Sequence, residues 1–418
     1  MILKNINKRF EDYSSNTFIT QKQLLKILEH SDFREDLIKL FDIKEDESKV
    51  LQIGNSKYLI ESLLELDSLC DKIDIPIKMK NVYLEKLLED EKAIFSILGV
   101  ENKYIYNIIK SDKLKVETAY SAKQDLLDYY NFSKFANYCR DLEYEDLIKS
   151  IRDYLKEKNK DNNDEINLRL LYEKEDKKFY LRAITSTNGY KDFGINFSVF
   201  VILVALGKYV EDTKNNIHID RYVVNDSKIY VSFSLSNSRV INDKLNLNFN
   251  LILENDEIKR DAVRLNGVFK VTYKENNRLS EIFIKPKGMK KEKSEYPVDL
   301  LQYKHTGNPQ KVYESIQELP KLIDFFIEQV SDDAKKISEI KNVKDVRTHL
   351  ANKVKHSRKL EFQKYKERIF RKLMEITADN TFNLFEVFRQ VEELFENEDV
   401  ISRDYWREKL YESLIEKK

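Results

Sequence analysis

The sequence predicts an α+β protein with an N-terminal helical region, a central mainly antiparallel sheet with a buried helix, and a C-terminal helical layer. Apolar residues recur at spacings of three and four before residue 160 and after residue 310, and they alternate with period two from about residue 165. The 418 residues include 41% apolar residues, 23 Phe and 24 Tyr, which excludes disorder as the overall class. The predicted regions are 1–160 (helical), 161–290 (β-rich), 291–309 (linker) and 310–418 (helical).

The N-terminal region begins with a helix that Thr20 can cap, because leucines cluster directly after it. Leu59, Leu63 and Leu66 lie at spacings of four and three, which predicts a second helix. Pro76 interrupts this pattern, since a proline pushes its predecessor out of the α region. We expect a further helix over the segment NVYLEKLLEDEKAIFSILG, which ends at Gly99.

The central region shows the alternation of a sheet. NLRLLYEK and KKFYLRAITS flank a charged turn and predict a hairpin. A helix over about 196–211 follows, and the alternation of apolar residues with asparagines over 245–253 predicts a strand with one solvated face. Further strands at 216–224, 228–236, 267–276 and 280–286 complete an expected sheet of six to eight strands.

Cellular location is predicted from the cysteines and the hydropathy. Cys70 and Cys139 are the only cysteines, and two widely separated thiols fit a reducing, cytoplasmic compartment. The most apolar stretch has an uncharged core of 11 residues, Phe197 to Gly207. A bilayer needs about 20, so we expect a buried helix and no membrane contact.

Charge is segregated in the C-terminal third, although the whole chain carries 73 basic and 73 acidic residues. Residues 341–372 contain 12 basic and three acidic side chains, whereas residues 386–418 contain six basic and 10 acidic ones. The apolar residues of the basic stretch follow spacings of three and four, which leaves a cationic face that can displace counterions from a phosphate backbone. The alternative is a helix face that neutralises the acidic C-terminal helix. The candidate nucleic-acid-binding residues are Lys353, Lys355, Arg358, Lys359, Lys364, Lys366, Lys290 and Lys291.

Catalytic and metal-binding patterns are weak. His349 and His356 are seven residues apart, about 10.5 Å along a helix, which is too far for one zinc ion, so we assign no metal ligand and no catalytic residue. Asp243 with Glu257 and Lys259 forms an acid and acid-x-lysine set that could hold Mg²⁺ in a nuclease, but with 35% charged residues such sets arise by chance. The chain has no Walker A loop and no G-x-G-x-x-G turn, so we predict no cofactor.

An aromatic segment precedes the sheet. The stretch YYNFSKFANYC over 129–139 could stack bases, as single-strand binders do. Aromatic residues at this density are more often part of a core, and that interpretation is favoured.

Several short segments resemble the phage- and plasmid-encoded family known as domain of unknown function 932. They are, in order, Ile75-Pro76 with NVYLEKLLEDEKAIF, Arg182-Ala183-Ile184-Thr185-Ser186 with Tyr190, Asn255-Asp256-Glu257 with Arg260, His305-Thr306-Gly307-Asn308, and TFNLFEVFRQVEELF. The chain departs from the family in the longer Ser186–Tyr190 spacing and in a missing cysteine before Asn266-Gly267. The resemblance implies an α+β fold and an origin in mobile elements, and it implies no reaction.

The family-motif positions singled out are Arg182, Ser186, Tyr190 and His305. Arg182 could offer a cation to a phosphate or carboxylate, or it could pair with a glutamate. His305, in a loop bordered by Gly and Pro, is expected to be exposed.

The function predicted is that of a non-enzymatic phage- or plasmid-type accessory protein that binds nucleic acid, with DNA favoured over RNA. Two alternatives stay open. One is a protein-interaction or structural component, such as a virion part, an inhibitor of a host protein or a homo-oligomer. The other is the metal-dependent nuclease.

Overall fold

The computed structural model describes residues 3–415 except 11–12, 45–48, 89–91, 188–192, 237, 259–261, 287–299, 306–307, 339, 341, 359, 376–378 and 396–399. The elements before the first large sheet are β1 (Ile6–Arg9), β2 (Ile19–Thr20), α1 (Gln21–Leu25), α2 (Arg34–Leu40), β3 (Val50–Leu51), β4 (Ile53–Gly54) and α3 (Ser56–Leu69). Thr20 caps α1 in a capping box with Gln23, and α3 buries Leu59, Leu63 and Leu66. Both predicted helices are confirmed.

A six-stranded sheet follows. Its elements are β5 (Cys70–Lys78), β6 (Val82–Leu87), β7 (Ala93–Ile97), α4 (Lys103–Ile109), β8 (Leu114–Thr118), α5 (Ala122–Asp128), α6 (Ser133–Asp141), α7 (Glu145–Asn159), β9 (Glu165–Glu173) and β10 (Lys178–Ser186). The strand order is β5-β9-β10-β8-β7-β6, and only β10 and β8 run parallel. The predicted β9–β10 hairpin is confirmed, and Pro76 lies in β5 at the sheet edge, where its missing N–H is tolerated.

The helix predicted over 81–99 is wrong, because this segment forms strands β6 and β7. A β-bulge between Leu84 and Lys86 shifts the register, so Val82, Leu84 and Leu87 all point inward. Two of these buried residues are therefore three apart, which imitates the spacing of a helix. The region before residue 160, predicted to be helical, thus contributes four strands to the six-stranded sheet.

A nine-stranded sheet forms the centre of the molecule. Its elements are α8 (Ile195–Thr213), β11 (Ile217–Val224), β12 (Lys228–Leu235), β13 (Arg239–Asn242), β14 (Leu245–Asp256), β15 (Val263–Glu275), β16 (Arg278–Ile284) and β17 (Leu301–Tyr303). The order is β1-β11-β12-β14-β15-β16, with β4, β13 and β17 paired to β11, β14 and β15. Every pairing but the short β4–β11 one is antiparallel. Strand β17 lies inside the segment predicted as a linker.

The two faces of the nine-stranded sheet differ. Helix α8 is buried almost all round in the main core, as predicted, together with Val231, Leu251 and Leu253 of the near face. The far face holds a small separate cluster that includes Tyr230 and Phe283. The solvated face predicted for 245–253 is only half present, because Asn246 is exposed whereas Asn250 is buried and donates to Asp220 and Ser232.

The C-terminal third is helical, as predicted. Its helices are α9 (Pro309–Gln317), α10 (Leu319–Ser338), α11 (Val343–Lys355), α12 (Leu360–Glu375), α13 (Thr381–Glu392) and α14 (Val400–Ile415). α14 buries charged and apolar side chains alike. It packs between the other C-terminal helices and the far face of the sheet, where the Arg403 guanidinium lies over the Tyr230 ring. Within the described ranges, no helix is both long and apolar enough to cross a bilayer.

Candidate nucleic-acid interface

The basic stretch forms helices α11 and α12. The Asn342 side chain accepts a hydrogen bond from the Asp345 N–H and caps α11. The predicted apolar stripe of Val343, Val346, Leu350 and Val354 is buried. One face of α11 is therefore buried, and the cations of this helix lie on its remaining faces.

Lys353 does not belong to an outward cationic surface. Its ammonium donates to Glu412 of α14 at 2.8 Å, and the two side chains are 24% and 4% exposed. Lys409 donates to both oxygens of the same carboxylate. The sequence left open the alternative that the basic stretch neutralises the acidic C-terminal helix. Lys353 does so, because it pairs with Glu412 of α14.

The other predicted cations differ in exposure. Lys355 and Arg358 are exposed, and Lys364 is exposed with its ammonium 4.9 Å from the centroid of the Tyr365 ring. Lys366 is half-buried and donates to the Ser357 carbonyl at 3.2 Å. Lys359, Lys290 and Lys291 lie outside the described residues.

An open groove of about 920 Å³ lies along α12 beside the end of α11. Five cationic and two acidic side chains line it: Lys355, Lys364, Lys366, Arg368 and Arg371, with Glu367 and Glu375. Sequence reasoning missed Arg368 and Arg371 as site residues. The signal was present, because Lys364, Arg368 and Arg371 follow at spacings of four and three and therefore share one helix face.

Within the groove, Glu375 lies 3.9 Å from Arg371, whereas three carboxylates of residues 386–418 bind cations elsewhere. Glu412 binds Lys353, Asp404 accepts from Lys285 at 2.7 Å, and Glu392 accepts from Arg407. All these pairs are buried or half-buried under α14. These three carboxylates therefore stabilise the interior rather than screen α12.

Arg182 is fully buried, so it cannot offer its charge to an external phosphate or carboxylate. The other interpretation, a pair with a glutamate, agrees with the structure. The guanidinium of Arg182 donates to Glu257 at 3.0 Å. Lys72 donates to both oxygens of Glu257 at 2.8 Å, and the Ile195 N–H at the start of α8 donates at 2.8 Å. Burial alone would raise the pKa of Glu257, but Lys72, Arg182 and Arg169 together hold that pKa well below its usual value. Glu257 therefore joins the six-stranded sheet, α8 and the end of β14 at one buried junction.

The remaining family-motif positions do not assemble around Arg182. Ser186 is exposed at the end of β10. His305 is only 5% exposed, so the expectation of an exposed loop histidine is wrong; it lies directly after β17, which packs into the sheet. Tyr190 lies outside the described residues.

The carboxylates of the nuclease hypothesis do not converge. Asp243 precedes β14 and Glu257 follows it, and β14 has 12 residues. At about 3.3 Å per residue the two residues are on the order of 40 Å apart, and Glu257 is bound by two cations, so they cannot share a metal ion. Lys259 lies outside the described residues. In the part of the chain that the structure describes, no group of three or more His, Cys, Asp or Glu could hold a metal ion.

Exposed aromatic side chains are concentrated on the helices beside the six-stranded sheet. Within 129–139, Tyr129, Phe135 and Tyr138 are 51%, 43% and 56% exposed, so much of this segment is not core. On the neighbouring helices α4 and α7, Tyr106 and Tyr154 are 52% and 51% exposed. No sequence pattern groups these helices, because they share only the core of the six-stranded sheet, whose strands β5 to β8 were not predicted.

No protein-family model, no curated protein and no solved structure matches this chain.

Proposed function

We propose that the chain is a non-enzymatic accessory protein, of phage or plasmid type, that binds nucleic acid through the groove along α12. The observation that supports this proposal is the charge of the groove lining, which contains five cationic and only two acidic side chains. Polyanions bind such surfaces because each neutralised phosphate releases condensed counterions. DNA is the proposed polymer, and affinity without sequence preference is expected.

The dimensions of the groove set the expected strength. Lys364 to Arg371 spans seven residues, about 10.5 Å of helix, which matches about three phosphate steps of one strand at 3.4 Å each. With Lys355 included, about four phosphate contacts give a slope of about −3.6 for log K against log salt concentration. Affinity should then fall on the order of 100-fold between 50 and 200 mM salt.

The test is a charge reversal of two exposed groove residues, Lys355→Glu with Arg368→Glu. Loss of about two phosphate contacts should reduce the magnitude of the salt slope by about 2 and abolish retention of a duplex at 150 mM salt. Fluorescence anisotropy with a labelled duplex, and with RNA of the same sequence, measures both quantities. The matched control is Lys149→Glu with Lys156→Glu on α7, where both lysines are exposed and the change in net charge is the same. Equal binding by the groove variant and the wild type would refute the proposal.

A second candidate function is contact between two copies of this chain through the aromatic surface of α6 and α7. Tyr138, Tyr144 and Tyr154 are 56%, 45% and 51% exposed. Residues 128–158 carry seven acidic and six basic side chains, a near-balance that suits self-association better than polyanion binding.

Light scattering at 50 and 500 mM salt tests the second candidate. A dimer that persists at high salt and dissociates in Tyr138→Ser with Tyr154→Ser would support it, because burial of aromatic area does not depend on screening. A monomer at all concentrations up to 100 μM would exclude it.

A further inference from the structure

Four arginines lie on the far face of the nine-stranded sheet: Arg9 on β1, Arg221 on β11, and Arg403 and Arg407 on α14. Strand pairing places Arg9 directly opposite Arg221, with side chains on the same face. Arg403 of α14 lies 4.5 Å from the centroid of the Tyr230 ring. Arg407, one helical turn further, lies 4.7 Å from the centroid of the Phe283 ring. We propose that this arginine cluster is a binding site for a phosphate-type oxyanion.

The cross-strand register fixes the first two members. β1 and β11 pair Asn7 with Val223 and Arg9 with Arg221, and Val223 pairs in turn with Tyr230 of β12. Val223 and Tyr230 belong to the apolar cluster of the far face, so Arg221, two residues before Val223, faces the same side. Residues directly opposite in an antiparallel pair have Cβ atoms about 4.5–5.5 Å apart, and like charges there are destabilising. The sheet thus holds two guanidinium groups together.

Arg403 has unused hydrogen-bonding capacity. It is only 6% exposed, and its buried Nε has no hydrogen-bond acceptor among the residues that the structure describes. Among the described residues no carboxylate lies within 4 Å of it, and its contact is the face of Tyr230. Arg407 differs, because Glu392 accepts from it. A buried guanidinium that stacks on a ring and keeps an unused Nε–H donor can receive an anion.

The nearby carboxylates neutralise only part of the cluster. Asp404 accepts from Lys285 and lies 3.8 Å from Arg407, which Glu392 also binds. Burial, reinforced by the charge of Asp404, raises the pKa of Glu254 to about 8, so this group is largely neutral at pH 7. Burial together with the charges of Arg403, Arg9 and Arg407 lowers the pKa of Arg221 to about 10. The arginines therefore repel one another, and an oxyanion bound between them would relieve that repulsion.

Phosphate is the expected ligand because guanidinium groups donate two parallel N–H bonds to its oxygens. The group could come from free phosphate or from a phosphorylated end of a nucleic acid. This site is separate from the α12 groove, and it does not depend on the function proposed for that groove.

The experiment is isothermal titration calorimetry of the full chain with inorganic phosphate at constant ionic strength, with chloride as the reference anion. We expect binding by the wild type below 10 mM phosphate and at least tenfold weaker binding by Arg403→Met, which keeps the packing on Tyr230 and removes the donors. Arg239→Met is the matched control, because Arg239 lies on β13 and donates to Ser331, and it should bind phosphate as the wild type does.

Arg9→Gln keeps the test decisive if Arg403→Met fails to fold, because Arg9 is exposed. It should raise the melting temperature without phosphate, since repulsion is relieved, and yet weaken phosphate binding at least tenfold. Unaltered phosphate affinity in Arg9→Gln and Arg403→Met, or no binding by the wild type at 10 mM, would overturn the proposal.

The source of the phosphate is distinguished by two oligonucleotides, with and without a 5′-phosphate, tested on the groove variant Lys355→Glu with Arg368→Glu. Tighter binding of the phosphorylated strand supports a nucleic-acid end as the ligand. Equal binding of both strands, with inorganic phosphate still bound, supports free phosphate. The groove variant should bind inorganic phosphate like the wild type, so failure of the groove proposal and failure of this one are separable.

Discussion

Replacement of Glu257 by glutamine is expected to lower the free energy of unfolding by about 3 kcal/mol. The carboxylate accepts two bonds from Lys72, one from Arg182 and one from the Ile195 N–H. Glutamine keeps one acceptor oxygen but removes the charge, and Arg182 is 0% exposed. Breaking a buried ion pair from one side costs about 3–5 kcal/mol because the other charge stays buried, and the retained acceptor oxygen places glutamine at the lower end.

Urea unfolding at pH 7 measures this loss. The control is Glu65→Gln, whose pair with Lys4 is 48% and 65% exposed and should contribute less than about 1 kcal/mol. The double variant Glu257→Gln with Arg182→Met should lose less than the sum of the single losses, by about 2 kcal/mol, since it removes both buried charges.

The acid limb of stability provides a second readout of the same junction. In the folded chain the pKa of Glu257 lies below its usual value of 4.5. Its contribution is therefore complete above pH 4.5 and is lost as the pH falls toward the folded pKa. Glu257→Gln should flatten the decline of stability below pH 4.5. A loss under about 1 kcal/mol at pH 7, with an unaltered acid limb, would show that the junction does not hold the two sheets together and would refute the reasoning.

Three further changes test other parts of the structure. The pKa of Glu254 is raised to about 8, so its contribution to stability is complete at low pH and is lost as the pH rises. Glu254→Gln should therefore remove a fall in stability between about pH 5 and 8, which amounts to at most about 1.4 kcal/mol per pH unit. Thermal melts across that pH range measure this change. Gly267→Ala should lower stability in urea unfolding by about 3 kcal/mol, because the added Cβ would lie 2.1 Å from the Phe326 ring. Lys353→Met should cost about 1–2 kcal/mol of stability and leave DNA affinity nearly unchanged. Lys355→Met should weaken DNA binding and leave stability nearly unchanged. Equal effects of the two substitutions on DNA binding would contradict the assignment of Lys355, and not Lys353, to the groove.

The local sequence pattern was sufficient to predict an element where the spacing of its apolar residues matches the face that it buries. The alternation of 245–253 predicted β14, and the apolar run at 196–211 predicted α8, because each pattern directly reflects a buried surface. The same reasoning failed at 82–97, where the bulge at Leu84 gave a strand the spacing of a helix. A bulge is a feature of the pairing between two strands, here β6 and β7, so the pattern within one strand does not distinguish it from a helical turn.

In the candidate site, too, local patterns were predictable whereas long-range pairings were not. Helical spacing separated the buried stripe of α11 from its cations, but it could not separate Lys353 from Lys355 by role. Lys353 meets Glu412, 59 residues later, only because α14 packs against α11. Arg182 and Glu257 are likewise 75 residues apart and meet only in the folded chain. Pairings of this kind are decided by the topology of the two sheets and the C-terminal helices.

A chain of zero net charge can present a cationic surface when its carboxylates are turned inward, and salt can show whether this is the case. The pairs Lys353–Glu412 and Lys285–Asp404 are buried or half-buried, and screening by salt weakens such pairs much less than exposed ones. Between 50 and 300 mM salt, duplex binding by the α12 groove should therefore fall steeply while the melting temperature hardly changes. A parallel loss of binding and stability would mean that the carboxylates of α14 face solvent, and that they would then screen the groove cations.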